Sequence, residues 1–419
     1  MQRLFRLYQS FIGRQASTMP SASNFPEEAL DLSAEQGFGY FLARPGLVLN
    51  GRYHILRKLG KGQYSSTWLV SDSQSQELPK YYAVKILTAH ATTHHRLGHL
   101  LELETTNSIK QLQGINKLPY LYDHFETEGP NGQHLCLVLN VLSTDVSRFR
   151  RSAPTKRLSF AQVKVIVVQV VEALAVLHAA HIVHTDVKPD NVLFDEGIDP
   201  ESIQEFLNDN PLSIDGEFEL HGVRYPIIRS QPIPHPFSWD DPPSEVELYS
   251  VSLTDFGHAQ RVDKEPTTQT IGAYALRPPE VILEANFDTK VDIWSLGCMT
   301  FELLTGRWLF SPESGTTWHR EDDHLAKMME VTGETFNEKV LSMCRKRNEY
   351  FDKEGGLRRI DQMFPVPLEQ AMMNYGLPES EVGPAASFIR ACLHLNPEER
   401  SSARELEIHP WLANAYMCC

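Results

Sequence analysis

The segment HIVHTDVKPDN, residues 181 to 191, gathers two Asp, a Lys and an Asn into one short polar turn. A carboxylate in such a turn can accept the proton of a hydroxyl, an ammonium can neutralise charge on a phosphoryl group in transfer, and an amide oxygen can ligate a cation. Asp186, Lys188 and Asn191 supply those three groups. Further along, LTDFGHAQ sets Asp255 in a short apolar strand ending in Gly, suited to a carboxylate that holds Mg²⁺ between nucleotide phosphates. Earlier, GKGQYSS contains Gly60 and Gly62, which let backbone N–H groups approach an anion with no Cβ in the way. Lys85 in YYAVKIL follows on a strand that could reach the same phosphates, and either Glu102 or Glu104 can fix its ammonium by an ion pair. Singly, two glycines mean a hairpin and a strand Lys means a solvated charge. In this order, the set describes phosphoryl transfer.

The elements that must position these groups are legible as patterns. YHILRKLG, SSTWLVSD and YYAVKIL are short β-rich runs separated by Gly, Ser and Pro, and predict an antiparallel sheet. A helical pattern covers residues 95 to 112, and YLYDHFET and QHLCLVLNVL are two further strands joined at EGPNGQ. Beyond Leu142 the character is helical. Val163, Ile166, Val167, Val170, Leu174 and Leu177 share one face of a long helix that Ser159 can cap, and this helix delivers the chain to the polar turn. Residues 195 to 251 are rich in acids and prolines, with Arg224 and Arg229 the only Lys or Arg, which predicts an extended or partly disordered insertion.

A net charge of −15 argues against nonspecific binding to nucleic acid or an anionic membrane and favours a basic partner or a solvated acidic surface. Six cysteines without a C-x-x-C pair fit buried or free thiols in a reducing compartment, with no disulfide framework or zinc site. No stretch approaches roughly 18 uninterrupted apolar residues, so a soluble protein without a membrane partner is expected. Residues 1–50 read as an N-terminal extension. Its first 25 residues carry Arg3, Arg6 and Arg14 but no acid, and Leu4, Leu7, Tyr8, Phe11 and Ile12 share a helical face; this fits either a mitochondrial transit peptide or a mobile extension.

From about Gly51 to Trp411 the chain resembles the eukaryotic protein kinases. To the parts above are added RPPEV (277–281), DIWSLGC (292–298) and Arg400 of NPEERSS, which matches the arginine that pairs with Glu280. The resemblance implies an α+β, bilobal protein-kinase fold, with a small β-rich N-lobe over 51–142 and a larger, mainly helical C-lobe over 143–416. It implies ATP and Mg²⁺, a nucleotide site of Leu59, Gly60, Lys61, Gly62, Thr67, Ala83, Lys85, Glu102, Leu139, Leu142 and Leu193, metal ligation by Asn191 and Asp255, and catalysis by Asp186, Lys188 and Asn191. Lys188, two residues after Asp186, is the serine/threonine-kinase pattern.

HTDVKPDN, YSSTWL, EDDHLAKMMEVTGE, GGLRRI and HPWL resemble the SR-protein kinases, whose substrates are Arg/Ser-rich splicing factors. LAMMER or CLK kinases, which share the His-Thr-Asp opening, are the second reading, and a scaffold that kept the fold without turnover is the third. The first reading implies a monomer, cytoplasmic and nuclear, in which Glu321, Asp322, Asp323 and Glu349 resemble acidic docking positions. Ser65, Thr67, Asn140 and Gly356 depart from the family pattern. Thr185 stands where many kinases carry an Arg that needs a phosphate partner. Activity independent of phosphorylation at Thr267, Thr268 or Thr270 is therefore expected.

Overall fold

Short β-branched runs punctuated by Gly and Asn form the first layer of the computed structural model, which describes residues 27–74, 81–111, 117–195, 198–264, 271–413 and 415. β1 (Val48–Leu49), β2 (Tyr53–Lys61), β3 (Ser65–Asp72), β4 (Tyr81–Leu87), β5 (Leu121–Gly129) and β6 (Gly132–Leu139) make one antiparallel sheet in the order β1-β2-β3-β4-β6-β5. Ile55, Val70, Val84 and Val138, from four strands, are fully buried on its core side.

The predicted helix over 95–112 is two helices, α1 (Ala89–Arg96) and α2 (Glu102–Lys110). The break has a local cause. Gly98 adopts φ +73°, a left-handed conformation that ends a helix and that residues with a Cβ adopt at a cost.

In the C-lobe, α3 (Val146–Ser152) leads to α4 (Phe160–Ala179). Ser159 caps α4 reciprocally: its Oγ accepts from Gln162 N at 3.3 Å, and Gln162 Oε1 accepts from Ser159 N at 3.0 Å. The six apolar residues of its predicted face are buried. By length and composition α4 could cross a membrane, but 72% of its most apolar window is covered by the surrounding lobe, the place of a core helix. After α4 come β7 (Ile182–Val183), the polar turn and β8 (Val192–Phe194).

The following segment corrects a sequence expectation. Residues 198–251 are packed onto the two lobes rather than loose. They form α5 (Pro200–Asp209), capped by Asp199, and the hairpin β9 (Ile214–Leu220) with β10 (Val223–Ile228), before β11 (Val251–Leu253) pairs with β8. Ile203, Phe206 and Leu207 of α5 lie against Leu59, Leu69, Ala83 and Val141. Arg57 donates to Asn210 O, and Gln231 N donates to Lys58 O at 2.8 Å, so the insertion covers the outer edge of β2. From His235 onward the chain belongs to the other lobe: His235 meets Phe149 and Phe194, and Gln162 donates to Trp239 O. The acid count hid an apolar stripe at i, i+3, i+4. Because Ile203 is only 1% exposed, Ile203→Ala is expected to cost about 2–5 kcal/mol, to be read as a lowered urea midpoint; a change near zero would mean that α5 is not part of the packed lobe.

Residues 27–50 are corrected in the same way. Leu30, Tyr40, Phe41, Ala43 and Leu49 are buried, and the main chain at Phe38 and Gly39 accepts from His90 N and Ala89 N at the start of α1. This stretch is a strap on the N-lobe, not a free extension. The transit-peptide reading of the first 25 residues lies outside the described residues. Cys136, Cys298, Cys344 and Cys392 are buried and free; Cys418 and Cys419 also lie outside the description.

Past β11, a short strand β12 (Gln260–Arg261) pairs with β7. The C-lobe continues with α6 (Lys290–Thr305), which lies against α4, and α7 (Arg320–Thr332).

Candidate active site

The turn after α4 is held from behind by a buried carboxylate. Asp292 of α6 has no solvent exposure, and its oxygens accept from His184 N at 2.8 Å and Thr185 N at 2.7 Å and lie 3.0 Å from His178 Nε2. Thr185 needs this support. Its φ of +71° is costly for a β-branched residue, by about 1–3 kcal/mol. Its hydroxyl donates to His258 O at 2.8 Å, so a neutral hydrogen bond joins the turn to the chain that follows Asp255.

Within the turn, Lys188 Nζ lies 2.6 Å from Asp186 Oδ2, and Asn191 Nδ2 donates to both Asp186 O at 2.8 Å and Asp186 Oδ2 at 2.9 Å. Spending the Asn191 amide N–H groups on Asp186 leaves its amide oxygen as the acceptor for a cation. The β8–β11 pair sets the next piece beside it, since Thr254 N donates to Asn191 O at 2.8 Å. Asp255 is the second residue beyond β11, not within the strand as the sequence suggested, and takes φ +67°.

Lys85 reaches across from β4 and bridges Glu102 of α2 and Asp255, the latter at 2.8 Å. Of the two candidate partners it is Glu102 that is buried and paired, whereas Glu104 is half-exposed beside His95. The Lys85 ammonium holds the Asp255 carboxyl well below the usual carboxylate range. Burial opposes charge on Lys85, but Asp255 and Glu102 outweigh it and hold the ammonium protonated above its ordinary range. Burial raises Glu102, with Lys85 pulling the other way.

The glycine turn between β2 and β3 is closed by Gly62 N donating to Ser65 O at 2.8 Å. A Cβ at Gly60 would meet nothing within 4 Å, so its backbone is open to the cleft. The Tyr40 hydroxyl lies 2.8 Å from the carbonyl oxygens of both Gly62 and Gln63 and shares its single proton between them, which pins the tip of this turn. Burial pushes the Tyr40 phenol up to about 12, so it keeps that proton.

Leu59, Gly60, Lys61, Gly62, Thr67, Ala83, Lys85, Glu102, Leu139, Leu142, Asn191, Leu193 and Asp255 all line one cleft between the lobes, with Asp186 and Lys188 at its mouth. Among the residues of the same walls that sequence reasoning missed are Pro232 and Ser230 from the insertion, and Glu27 from the strap. The Glu27 carboxylate accepts from the Ser230 hydroxyl at 2.6 Å and from Lys58 Nζ at 3.2 Å, which joins strap, insertion and β2. No local motif announces this contact, because its partners are about two hundred residues apart.

Other expectations divide. Arg400 pairs with Glu280 at 2.6 and 2.7 Å, both buried. Asn140 accepts from Tyr120 N at 2.8 Å, so its amide ties the connection between the lobes to the start of β5. Asp322 and Asp323 are not surface docking groups. Asp322 is fully buried, 2.7 Å from Arg359 Nε and accepting from His319 N, and Asp323 pairs with Lys327 at 2.9 Å. Successive helical residues fan out by about 100°, so a run of three acids cannot share one face. Glu349 is exposed and Glu321 half-buried. At Gly356 an added Cβ would come within 2.9 Å of the Asp352 carboxylate, which already accepts from Gly356 N. Thr267, Thr268 and Thr270 lie outside the described residues.

A family model described as the protein kinase domain matches residues 53–206 and 243–412, leaving out the end of α5, the whole β9–β10 hairpin and the chain that follows it to residue 242. The sequence is 30% identical over 388 residues to the serine/threonine-protein kinase SRPK of Physarum polycephalum, covering 90% of this chain and 89% of that protein. It is 25% identical over 514 residues to SRSF protein kinase 3 of Homo sapiens, covering 89% and 88%. A solved kinase-domain crystal structure matches with a TM-score of 0.64 at 21% identity, covering 89% of this chain and 98% of that one, a likeness of fold.

Proposed function

The chain belongs to the protein kinase family and within it to the SR-protein kinases, and from that premise we propose that it transfers the γ-phosphoryl group of ATP to serine in Arg/Ser-rich proteins. The observation that carries this reading is the assembled bridge from Glu102 through Lys85 to Asp255, set opposite the Asp186–Lys188–Asn191 network.

The donor set fits the implied cofactor. Asp255 and Asn191 offer hard oxygen atoms, and among the described residues no group of three or more His, Cys, Asp or Glu could hold a metal by itself. A small hard cation that keeps water and takes phosphate oxygens to complete its shell suits such a pair. When bound, Mg²⁺ neutralises charge on the phosphate oxygens. The remaining work falls to the protein. Gly60, whose backbone is open to the cleft, lets the phosphates come close to the glycine turn that the Gly62–Ser65 bond closes, Lys85 fixes them, and the apolar cleft from Leu59 to Leu193 takes the base. Asp186 orients the serine hydroxyl and takes its proton as the oxygen–phosphorus bond forms, Lys188 compensates charge on the moving group, and ADP leaves with the bridging oxygen.

The name of the human relative is that of a kinase for SRSF proteins, and the net charge of −15 is complementary to an arginine-rich chain. A cytoplasmic and nuclear location goes with such substrates. Thr185 supports activity without activation-loop phosphate, because it contributes a neutral hydrogen bond where an unpaired arginine would need an anion. Enzyme made in bacteria and treated with phosphatase is therefore expected to phosphorylate a peptide of alternating Arg and Ser on serine, at a rate that falls as salt rises past a Debye length of about 8 Å. Radiolabelled phosphate transfer checks this. An equal or better rate on an acidic, casein-like peptide would overturn the substrate reading, and an inert dephosphorylated enzyme restored by an upstream kinase would overturn the reading of Thr185.

A further inference from the structure

We propose that the C-terminal cap of α1 is a Zn²⁺ site whose protein ligands are His94 and His99. The cap is a Schellman turn: Gly98 N donates to His95 O and His99 N to His94 O, each at 2.9 Å, with Gly98 at φ +73°. This fold-back brings the third residue from the helix end against the second residue beyond it, a contact that is usually apolar. Here both positions are histidine. Their ring centroids are 5.4 Å apart and their Nδ1 atoms 3.4 Å apart.

That spacing matches a metal chelate. Two nitrogens bound to one tetrahedral zinc at about 2.0–2.1 Å stand about 3.3 Å from each other. The cap therefore holds two nitrogens at close to the separation of one tetrahedral edge, on backbone fixed by two hydrogen bonds. The same pair can share a proton when no metal is bound; zinc needs only that both rings carry their proton on Nε2. His99 is exposed and His94 half-buried, which leaves water to complete the shell. His90, one turn earlier, has its ring 4.4 Å from that of His94, and its Nδ1 lies 3.2 Å from Ala34 O of the strap. Imidazoles favour zinc-like ions, whereas Mg²⁺ prefers oxygen, so the site does not compete for the cation of the cleft.

Calorimetric titration with Zn²⁺ on the full chain tests this, in a Cys418→Ser, Cys419→Ser background so that the terminal thiols do not compete. One equivalent is expected to bind, with affinity weakened about 10–100-fold by either His94→Ala or His99→Ala. Gly98→Ala, which keeps both rings but resists the left-handed backbone, is expected to weaken it too. The parent alone should gain melting temperature with Zn²⁺, and variants melting near the parent without zinc exclude misfolding as the cause. Unchanged affinity in the two histidine variants, or no saturable binding up to about 0.1 mM, overturns the proposal.

Discussion

Asp186→Asn is expected to lower turnover by about 10²–10⁴-fold, the range for removing a positioned general base, while nucleotide affinity and melting temperature stay close to those of the parent. The substitution keeps the architecture of the turn. An amide in place of the carboxylate is the same size, the main-chain oxygen of residue 186 still accepts from Asn191, and Asp292 still holds the turn through His184 and Thr185. What disappears is the acceptor for the hydroxyl proton and the charge that faces Lys188. Single-turnover transfer to an Arg-Ser peptide, alongside equilibrium binding of a nucleotide, separates the two effects. Turnover within about threefold of the parent would remove Asp186 from the chemistry.

Asp255→Ala is the second large effect, and it acts on another quantity. Lys85 keeps Glu102, so the N-lobe pairing survives, but the carboxylate proposed to hold the cation is gone. A metal contact of this kind contributes several kcal/mol of charge stabilisation, so kcat/KM is expected to fall by roughly a thousandfold. Nucleotide affinity should lose its dependence on magnesium, while affinity in EDTA should stay as it was. Lys85 lowers the folded-state pKa of Asp255, so the stability this pair contributes is present above the unfolded value, about 3.9, and is lost only in strong acid. The parent's magnesium-dependent affinity should thus be flat from about pH 5 upward as far as this group is concerned. Magnesium-dependent binding that survives in the alanine variant would overturn the assignment.

The residues of the cleft were legible because each sits in a short motif whose chemistry and local backbone are decided within a few positions. The glycine turn, the strand Lys, the polar turn and the aspartate after β11 need only a sheet and one long helix to meet, and the periodicity of α4 was unmistakable. Choices made across the fold were not legible. Glu102 and Glu104 are equivalent on paper until the pitch of α2 turns one inward. The strap was read by where it stands in the chain, so Tyr40 and its hold on the glycine turn went unseen. In the insertion, composition outweighed pattern: Ile203, Phe206 and Leu207 lay among enough acids and prolines to pass for solvent-exposed chain. At α7 the error ran the other way, and a run of acids taken as surface hid two that point inside.

The path of the insertion has a mechanical consequence. The polypeptide joins the lobes at Leu139–Ser143; beyond it, Asp195 bonds Ser250 in the C-lobe whereas Ile198 and Ile233 lie with Leu59 and Ala83 of the N-lobe, and His235 is back against Phe149 and Phe194. A body hung from a single pin can twist as well as swing, whereas one hung from several can only swing about the line that joins them. The two halves of this molecule are joined at more than one place, so twisting one against the other, and with it slippage of Lys85 relative to Asp186, meets more resistance from the routing of the backbone than a single connection would give.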